Sequence, residues 1–333
     1  MDSSTRYRCY HLAEALRAKG CHCVVVSLTE FLKNPCYAYN VYIFHRPSAD
    51  VDRFHSTLED LRRLGKRLLA DYDDLIFGSA EEALLYPAFT SGLRTAKQVA
   101  AMFRANLLAL LEFDFFTTST EPLKRKVMEH KTNGRCEVVP NAVPDSVLAI
   151  AEENELHLTS RPSNVVGYFA GTKTHDKDLL LAEEGILRFL ETDPEGRFLV
   201  VGPVSLPIAL ADHRRVIQHG VVDYLRLPKL MQQCSTVIAP LEQTIFNDCK
   251  SRVKFLEACL AGCRLIATPI PDMKAAACHW ADLPQTQDEW QTALARKYSE
   301  SVRSNLASER FLYLKGQCHA ARSADALLSL LGE

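Results

Sequence analysis

Three ionisable side chains late in the chain, Lys250, Lys254 and Glu257, are spaced so that a helix through them would carry all three on one face. At 3.6 residues per turn they fall within about sixty degrees of one another. Two ammonium groups beside a helix N-terminus, whose first N–H groups lack intrahelical partners, suit a pair of phosphates. A carboxylate one turn deeper can accept hydrogen bonds from a sugar diol. The same spacing also fits a solvated face with a Lys-to-Glu ion pair, worth about a few tenths of a kcal/mol. Two further sets follow strand-like runs. His45-Arg46-Pro47 comes after residues 41–44, and Asp71-Tyr72-Asp73-Asp74 comes after Leu68-Leu69-Ala70. Arg46, just beyond a buried strand, suits a carboxylate or phosphate, or a structural ion pair with the aspartates. Asp73 and Asp74 could hold a metal-bound substrate, orient a hydroxyl, or make a helix cap and turn. Gly171 ends the run 165–171, with Lys173 and Lys177 behind it. A glycine there admits a phosphate or sugar to the backbone and a lysine neutralises it, although lysines at a helix N-terminus also serve simple solubility.

The elements that must hold these residues read as an α/β protein. Residues 235–270 form strand, polar loop (243–251), helix to Ala261 and strand (264–270), with Val253, Leu256 and Leu260 as the helix's apolar stripe. In a parallel sheet such a loop lies at the carboxyl ends of the strands, where open α/β folds bind ligands. Earlier, strands are expected at 23–28, 41–44, 67–70 and 113–117, with helices at 9–19, 52–64, 95–111 and 122–130. No strand is expected before the helix at 9–19, where a Rossmann-like domain would have its first. Signals weaken between 142 and 162, which reads as a linker. Strands at 165–171, 197–203 and 216–222 and helices at 179–192 and 224–234 follow. After Ile270 come a proline-containing loop and helices at 288–297, 300–315 and 319–331.

Composition narrows the classes. A chain of 333 residues has room for two domains, and 39 basic against 41 acidic residues give no electrostatic case for nucleic acid. Apolar runs fall short of the ~18 to 20 residues of a membrane span, and the polar start from Asp2 to Arg8 is unlike a signal peptide. A cytoplasmic protein is expected. The eleven cysteines are scattered without paired C-x-x-C spacing, and in Cys21-His22-Cys23 a strand would turn His22 away from both thiols. They read as small buried hydrophobes, and no metal site is expected; His175, His219 and His279 are too far apart in sequence to form one.

The segment FNDCKSRVKFLEACLAGCRLIATPI resembles the donor-site segment of GT-B glycosyltransferases of the group 1, or family 4, type found in bacterial surface-polysaccharide biosynthesis. Val138-Val139-Pro140-Asn141-Ala142-Val143 resembles the strand end that precedes that family's second domain. The resemblance implies two Rossmann-like parallel-sheet domains facing a cleft, with the first strand of the N-terminal domain missing here. It puts the acceptor-side domain at 1–150, the nucleotide-sugar domain at 163–316, and a helix at 317–333 crossing back to the first. It implies transfer of a sugar, of the hexosyltransferase kind, from a nucleotide-diphosphate donor to a glycan or lipid-linked acceptor, with retention of configuration. Donor-binding residues are then Gly171, Lys173, Asn247, Lys250, Ser251 and Glu257, with Glu257 on the ribose; Lys254, Asp73 and Asp74 are catalytic, and Arg6 and Arg46 contact acceptor or phosphate, with Arg8 a further candidate beside Arg6. Such enzymes need no metal or other cofactor, and the nucleotide sugar is a substrate. Peripheral association with the inner face of a membrane goes with a lipid-linked acceptor. The family's usual first glutamate is replaced by Cys249, which leaves its sugar contacts to Asn247 or Asp248. An inactive binding protein of the same fold and a nucleotide-sugar epimerase are the alternatives.

Overall fold

The computed structural model describes residues 3–153, 164–277 and 280–332. The chain falls into two compact units, one made of the chain up to Pro144, Asp248–Ser251 and the chain from Ala320 on, the other of Asp145–Asn247 and Arg252–His319.

In the first unit, β1 (Val41–His45), β2 (Arg67–Tyr72), β3 (Phe115–Thr118) and β4 (Arg135–Val138) lie side by side in chain order, all parallel. Helices Phe54–Arg63, Ala96–Leu111 and Glu121–His130 make the crossovers that parallel strands require. Their starts are set locally. Thr95 and Gln98 form a capping box, and Thr120 accepts the N–H of Leu123. One apolar cluster joins Leu12, Leu16, Leu69 and Val139 to Ala324, Leu327 and Leu331 of the helix Ala320–Leu331.

Two expectations for this unit are corrected. The amino-terminal stretch before Cys9 is helical from Ser3, running as Ser3–Thr5, a wider π-helical turn Arg6–His11 and then Leu12–Ala18, and Gly20, at φ +86°, lets the chain turn away. The widened turn carries Tyr7, Arg8 and His11 inward, and all three are buried. The run 23–28 forms no strand. β1 is the edge of the sheet and no strand precedes it among the described residues, so this run, strand-like in composition, leaves the open edge of β1 unpaired. Val24 and Val26 stand 56% and 51% exposed, and Arg17 ties the segment down through the carbonyl of Cys23.

The second unit holds β5 (Val165–Phe169), β6 (Arg197–Val201), β7 (Val216–His219), β8 (Thr236–Ala239), β9 (Arg264–Ala267) and β10 (Ala281–Asp282), all parallel, in the order β10-β9-β8-β5-β6-β7. This is the doubly wound order, and its direction reverses between β5 and β8. Ile186, Phe189, Phe198, Val200, Ile238, Ile266 and Trp290 share one core. Gly202 is fixed by the packing: at φ +121°, a Cβ there would lie 2.0 Å from the carbonyl oxygen of Ala170.

Here too the sequence reading needs correction. A helix, Asp145–Glu153, fills the part of the expected linker that is described; the rest of it, and the expected domain start at 163, lie outside the described residues. The expected helix at 179–192 breaks into a 3₁₀ turn, Asp178–Leu181, and Glu183–Thr192. The proline loop after Ile270 is a helix, Pro271–Ala277, for which a first-position proline is well suited; His279 lies outside the described residues.

Candidate functional site

The first unit gathers its polar residues beyond the ends of β1 and β2. His45 and Asp71 are partners in register across that pair of strands. Asp71, 2% exposed, accepts hydrogen bonds from Arg8 Nη2 (2.6 Å), Arg8 Nε (3.2 Å) and Thr117 Oγ1 (2.7 Å), and lies 2.8 Å from His45 Nδ1. Arg8 also donates to Asn141 Oδ1 at 3.1 Å and to the carbonyl of Val139. Burial opposes both charges, but each more than offsets that for the other: the guanidinium is held above its ordinary value and, with help from His45, the Asp71 carboxyl well below its own.

Arg46 follows at φ +50°, a left-handed conformation uncommon for a residue with a side chain and ahead of a proline. Its N–H donates to the carbonyl of Asp71 at 2.8 Å, its Nε to Asp73 at 2.6 Å and its Nη2 to Asp74 at 2.7 Å. Burial works against its charge, and the two carboxylates more than compensate, so the guanidinium is held above its ordinary value. Asp73 and Asp74 lie in a bend after β2 and cap no helix. Ser4 Oγ sits 2.7 Å from His45 Nε2 and donates to Asp73 Oδ2 at 2.5 Å. Arg6, in the π-helical turn, is half-buried.

The segment Asp248–Ser251 belongs to this unit. Thr120 Oγ1 donates to the carbonyl of Cys249 at 2.9 Å, Asn141 Nδ2 donates to Ser251 Oγ at 2.8 Å, and Lys250 Nζ lies 3.8 Å from Asp74. Cys249 is 1% exposed, and burial pushes its thiol up to about 12. The helix expected through Lys250 begins only at Val253 and ends at Leu260, so Lys250 and Ser251 precede it and the three-residue face with Lys254 and Glu257 does not form. Nor is the helix two-striped: Phe255 to Leu260 are all buried.

In the second unit, Lys254 Nζ donates to Glu257 Oε2 at 2.8 Å, the lysine side chain one-third exposed and the carboxylate buried. The N–H groups of Val253 and Lys254 open the helix and have no intrahelical acceptor. Just before them, the N–H of Arg252 is taken by Asp272 Oδ2 at 2.7 Å; burial raises that carboxyl above its ordinary value in spite of Arg252. The loops after β5 and β8 flank the point where strand order reverses. Gly171 and Lys173 stand exposed in the first loop; a Cβ on Gly171 would meet nothing within 4 Å. Asn247 braces the second, donating from Nδ2 to the carbonyl of Glu242 at 2.9 Å and from its N–H to Thr244 Oγ1 at 3.1 Å. Asp178 Oδ1 ties the loops together by accepting the N–H of Glu242 at 2.7 Å.

The predicted residues thus fall into two sets. Arg6, Arg46, Asp73, Asp74, Lys250 and Ser251 are in the first unit, and Gly171, Lys173, Asn247, Lys254 and Glu257 in the second. Sequence reasoning did not single out Ser4, and it named His45 and Asp71 only as members of their clusters, with no role of their own. For the last two the signal was present, since a His and an Asp each end a strand-like run and parallel strands in register bring such ends together. Among the described residues no group of three or more His, Cys, Asp and Glu could hold a metal ion, and no helix is long and apolar enough to cross a membrane.

No protein-family model and no curated protein matches the chain in sequence. Solved structures do match in shape. A UDP-forming α,α-trehalose-phosphate synthase from Burkholderia xenovorans aligns with a TM-score of 0.62 at 12% identity, over 100% of this chain and 80% of that one. Anabaena HepE, solved in complex with UDP and glucose, aligns with a TM-score of 0.58 at 13% identity, over 92% of this chain and 81% of that one. Staphylococcus aureus TarM, in complex with fondaparinux, α-GlcNAc-glycerol and UDP, aligns with a TM-score of 0.54 at 11% identity, over 80% of this chain and 51% of that one. With two all-parallel α/β units and these neighbours, the chain has the GT-B fold of glycosyltransferases.

Proposed function

We propose that this chain is a metal-independent glycosyltransferase that moves a sugar from a nucleoside-diphosphate donor to a glycan or lipid-linked acceptor, with retention, in cell-surface polysaccharide biosynthesis. The donor binds the second unit and the acceptor the first. The observation that carries the reading is the reversal of strand order in the second unit, flanked by an exposed Gly171–Lys173 loop and a braced loop at Asn247, with the helix that opens on Lys254 and Glu257 next in the chain. Lys173, Lys254 and the unpaired helix N–H groups stabilise the charge that grows on the leaving diphosphate, the assistance that usually dominates such sites. Glu257 receives the ribose hydroxyls. Arg46, Asp73 and Asp74 orient the acceptor hydroxyl, and Arg6 contacts acceptor or phosphate. The UDP complexes of HepE and TarM support a nucleotide-sugar donor. A lipid-linked acceptor would call the protein to the inner face of the cytoplasmic membrane.

The test is calorimetric titration against a panel of nucleotide sugars, with and without chelator, followed by turnover with glycan acceptors. Lys254→Ala should slow turnover by ~10² or more, and Glu257→Ala should weaken nucleotide binding; unaltered kinetics in both variants would sink the assignment. Cys249, buried where the resembling family has a glutamate, favours the alternative of a binding protein without turnover, which would bind donor and transfer nothing. An epimerase would consume the donor with no acceptor present.

A further inference from the structure

Asp71, His45, Ser4 and Asp73 stand in series, with contacts of 2.8 Å from Asp71 Oδ2 to His45 Nδ1, 2.7 Å from His45 Nε2 to Ser4 Oγ, and 2.5 Å from Ser4 Oγ to Asp73 Oδ2. Each contact needs one hydrogen between its two atoms. A neutral imidazole brings one and the serine hydroxyl another, and two ionised carboxylates bring none. Three contacts therefore need one proton more than neutral His45 and ionised aspartates possess. That proton has two equivalent homes. On His45, both ring nitrogens donate and Ser4 donates to Asp73. On Asp73, the carboxylic acid donates to Ser4, and Ser4 donates to His45 Nε2. The two forms interconvert by a paired shift along the hydroxyl, with no atom gained or lost. Without the proton, one contact sets lone pair against lone pair in a place largely closed to water.

The order Asp, His, Ser also matches a nucleophilic triad, but Ser4 is poorly placed for attack. Its Oγ lies against the Asp73 carboxylate, where a developing oxyanion would need donors. The other charged groups around His45 are Arg8 behind Asp71 and Arg46 next in the chain, whose Nε is held by the second oxygen of Asp73. Asp73 is 8% exposed, whereas the Arg46 side chain is 32% exposed.

We propose that Ser4, His45 and Asp73 share one transferable proton, and that Ser4 and His45 thereby act as positioning residues, setting the charge on Asp73 and so the orientation of Arg46 towards a hydroxyl-bearing acceptor. The acceptor half rests on the glycosyl-transfer reading. Imidazole ¹H–¹⁵N spectra of the full chain at neutral pH, assigned with His45→Gln, test the proton directly. The native protein should show Nδ1–H and Nε2–H signals for His45 together, and Asp73→Asn should keep the first and lose the second, because the new amide donates to Ser4 and frees the hydroxyl hydrogen for Nε2. No Nε2–H signal in the native protein, or one unchanged in Asp73→Asn, overturns the shared proton. In steady-state assays Ser4→Ala should raise the acceptor KM about tenfold, the loss of one charge-assisted hydrogen bond, and leave donor affinity unchanged, with Ser4→Thr restoring the native value. An acceptor KM unmoved by Ser4→Ala overturns the positioning role. If the native protein transfers no sugar, the glycosyl-transfer reading and the acceptor half fail together, while the spectra still decide the proton.

Discussion

Arg8 and Asp71 bring opposite full charges into a nearly closed part of the first unit, and neither is tolerable there without the other. Asp71→Asn keeps the shape of the side chain and removes the charge that Arg8 requires. It should cost about 3–5 kcal/mol, the usual penalty for stranding one member of a buried pair, read as a lowered urea midpoint. The pH dependence has a definite sign. Asp71 is held below the ordinary carboxylate value of about 3.9, so its stabilisation is complete above that pH and is withdrawn as pH falls towards its lowered one. His11 adds the same sign at higher pH, because burial lowers it and the unfolded chain takes up that proton first, from about pH 6.5 downwards. Urea midpoints of the native protein should therefore decline below neutral pH and again in acid. Asp71→Asn should lose the acid step and keep the first; retention of the full acid step would show that other carboxylates govern it.

Elements, unlike single side chains, were mostly legible from periodicity. β5, β6, β8 and β9 are almost wholly apolar because both of their faces are buried, and β2 is apolar from Leu68 to Ala70 until Asp71. Legibility failed where a partner elsewhere decides the outcome. Residues 23–28 have the composition of a strand, but composition cannot say whether a neighbouring strand exists, and here β1 has none beyond it. The helix begins only at Val253, although the side-chain spacing of Lys250, Lys254 and Glu257 carries on smoothly through a stretch that Thr120 and Asn141 hold in another conformation. Ser4 could not be found at all, because only the widened turn at Arg6–His11 and the packing of that helix bring it to His45. Substitution separates the false strand from the true ones. Val24→Thr and Val26→Thr should each change stability by less than about 0.5 kcal/mol, as exposed positions do, whereas Leu69→Ala in β2, fully buried, should cost about 2–5 kcal/mol. Chemical denaturation of the three variants is sufficient, and a large loss at Val24 would mean that this segment is part of a core after all.

At the scale of the whole chain, what completes the first unit is distant in sequence. Helix Ala320–Leu331 supplies Ala320, Ala324, Leu327 and Leu331 to the cluster built on Leu12, Leu16, Leu69 and Val139. It is fastened by the Ala320 N–H to the carbonyl of Val143 at 2.9 Å, by Ser323 Oγ to the carbonyl of Pro140 at 2.8 Å and by Arg67 to the carbonyl of Leu331. The second unit has its own core around Phe198, Ile238 and Trp290. Burying two leucines and two alanines contributes several kcal/mol at about 1.5–3 kcal/mol per large side chain, a sizeable part of the roughly 5–15 kcal/mol that holds a domain folded. Ending the chain after His319 should therefore strip amide-exchange protection from β2 and β4 and leave β5, β6, β8 and β9 protected. Equal loss in both sheets would mean that the two units unfold as one. Undiminished protection in β2 and β4 would mean that the helix only covers a core already closed by Leu12 and Leu16, and the polar residues gathered at the ends of β1 and β2 would then owe nothing to the end of the chain.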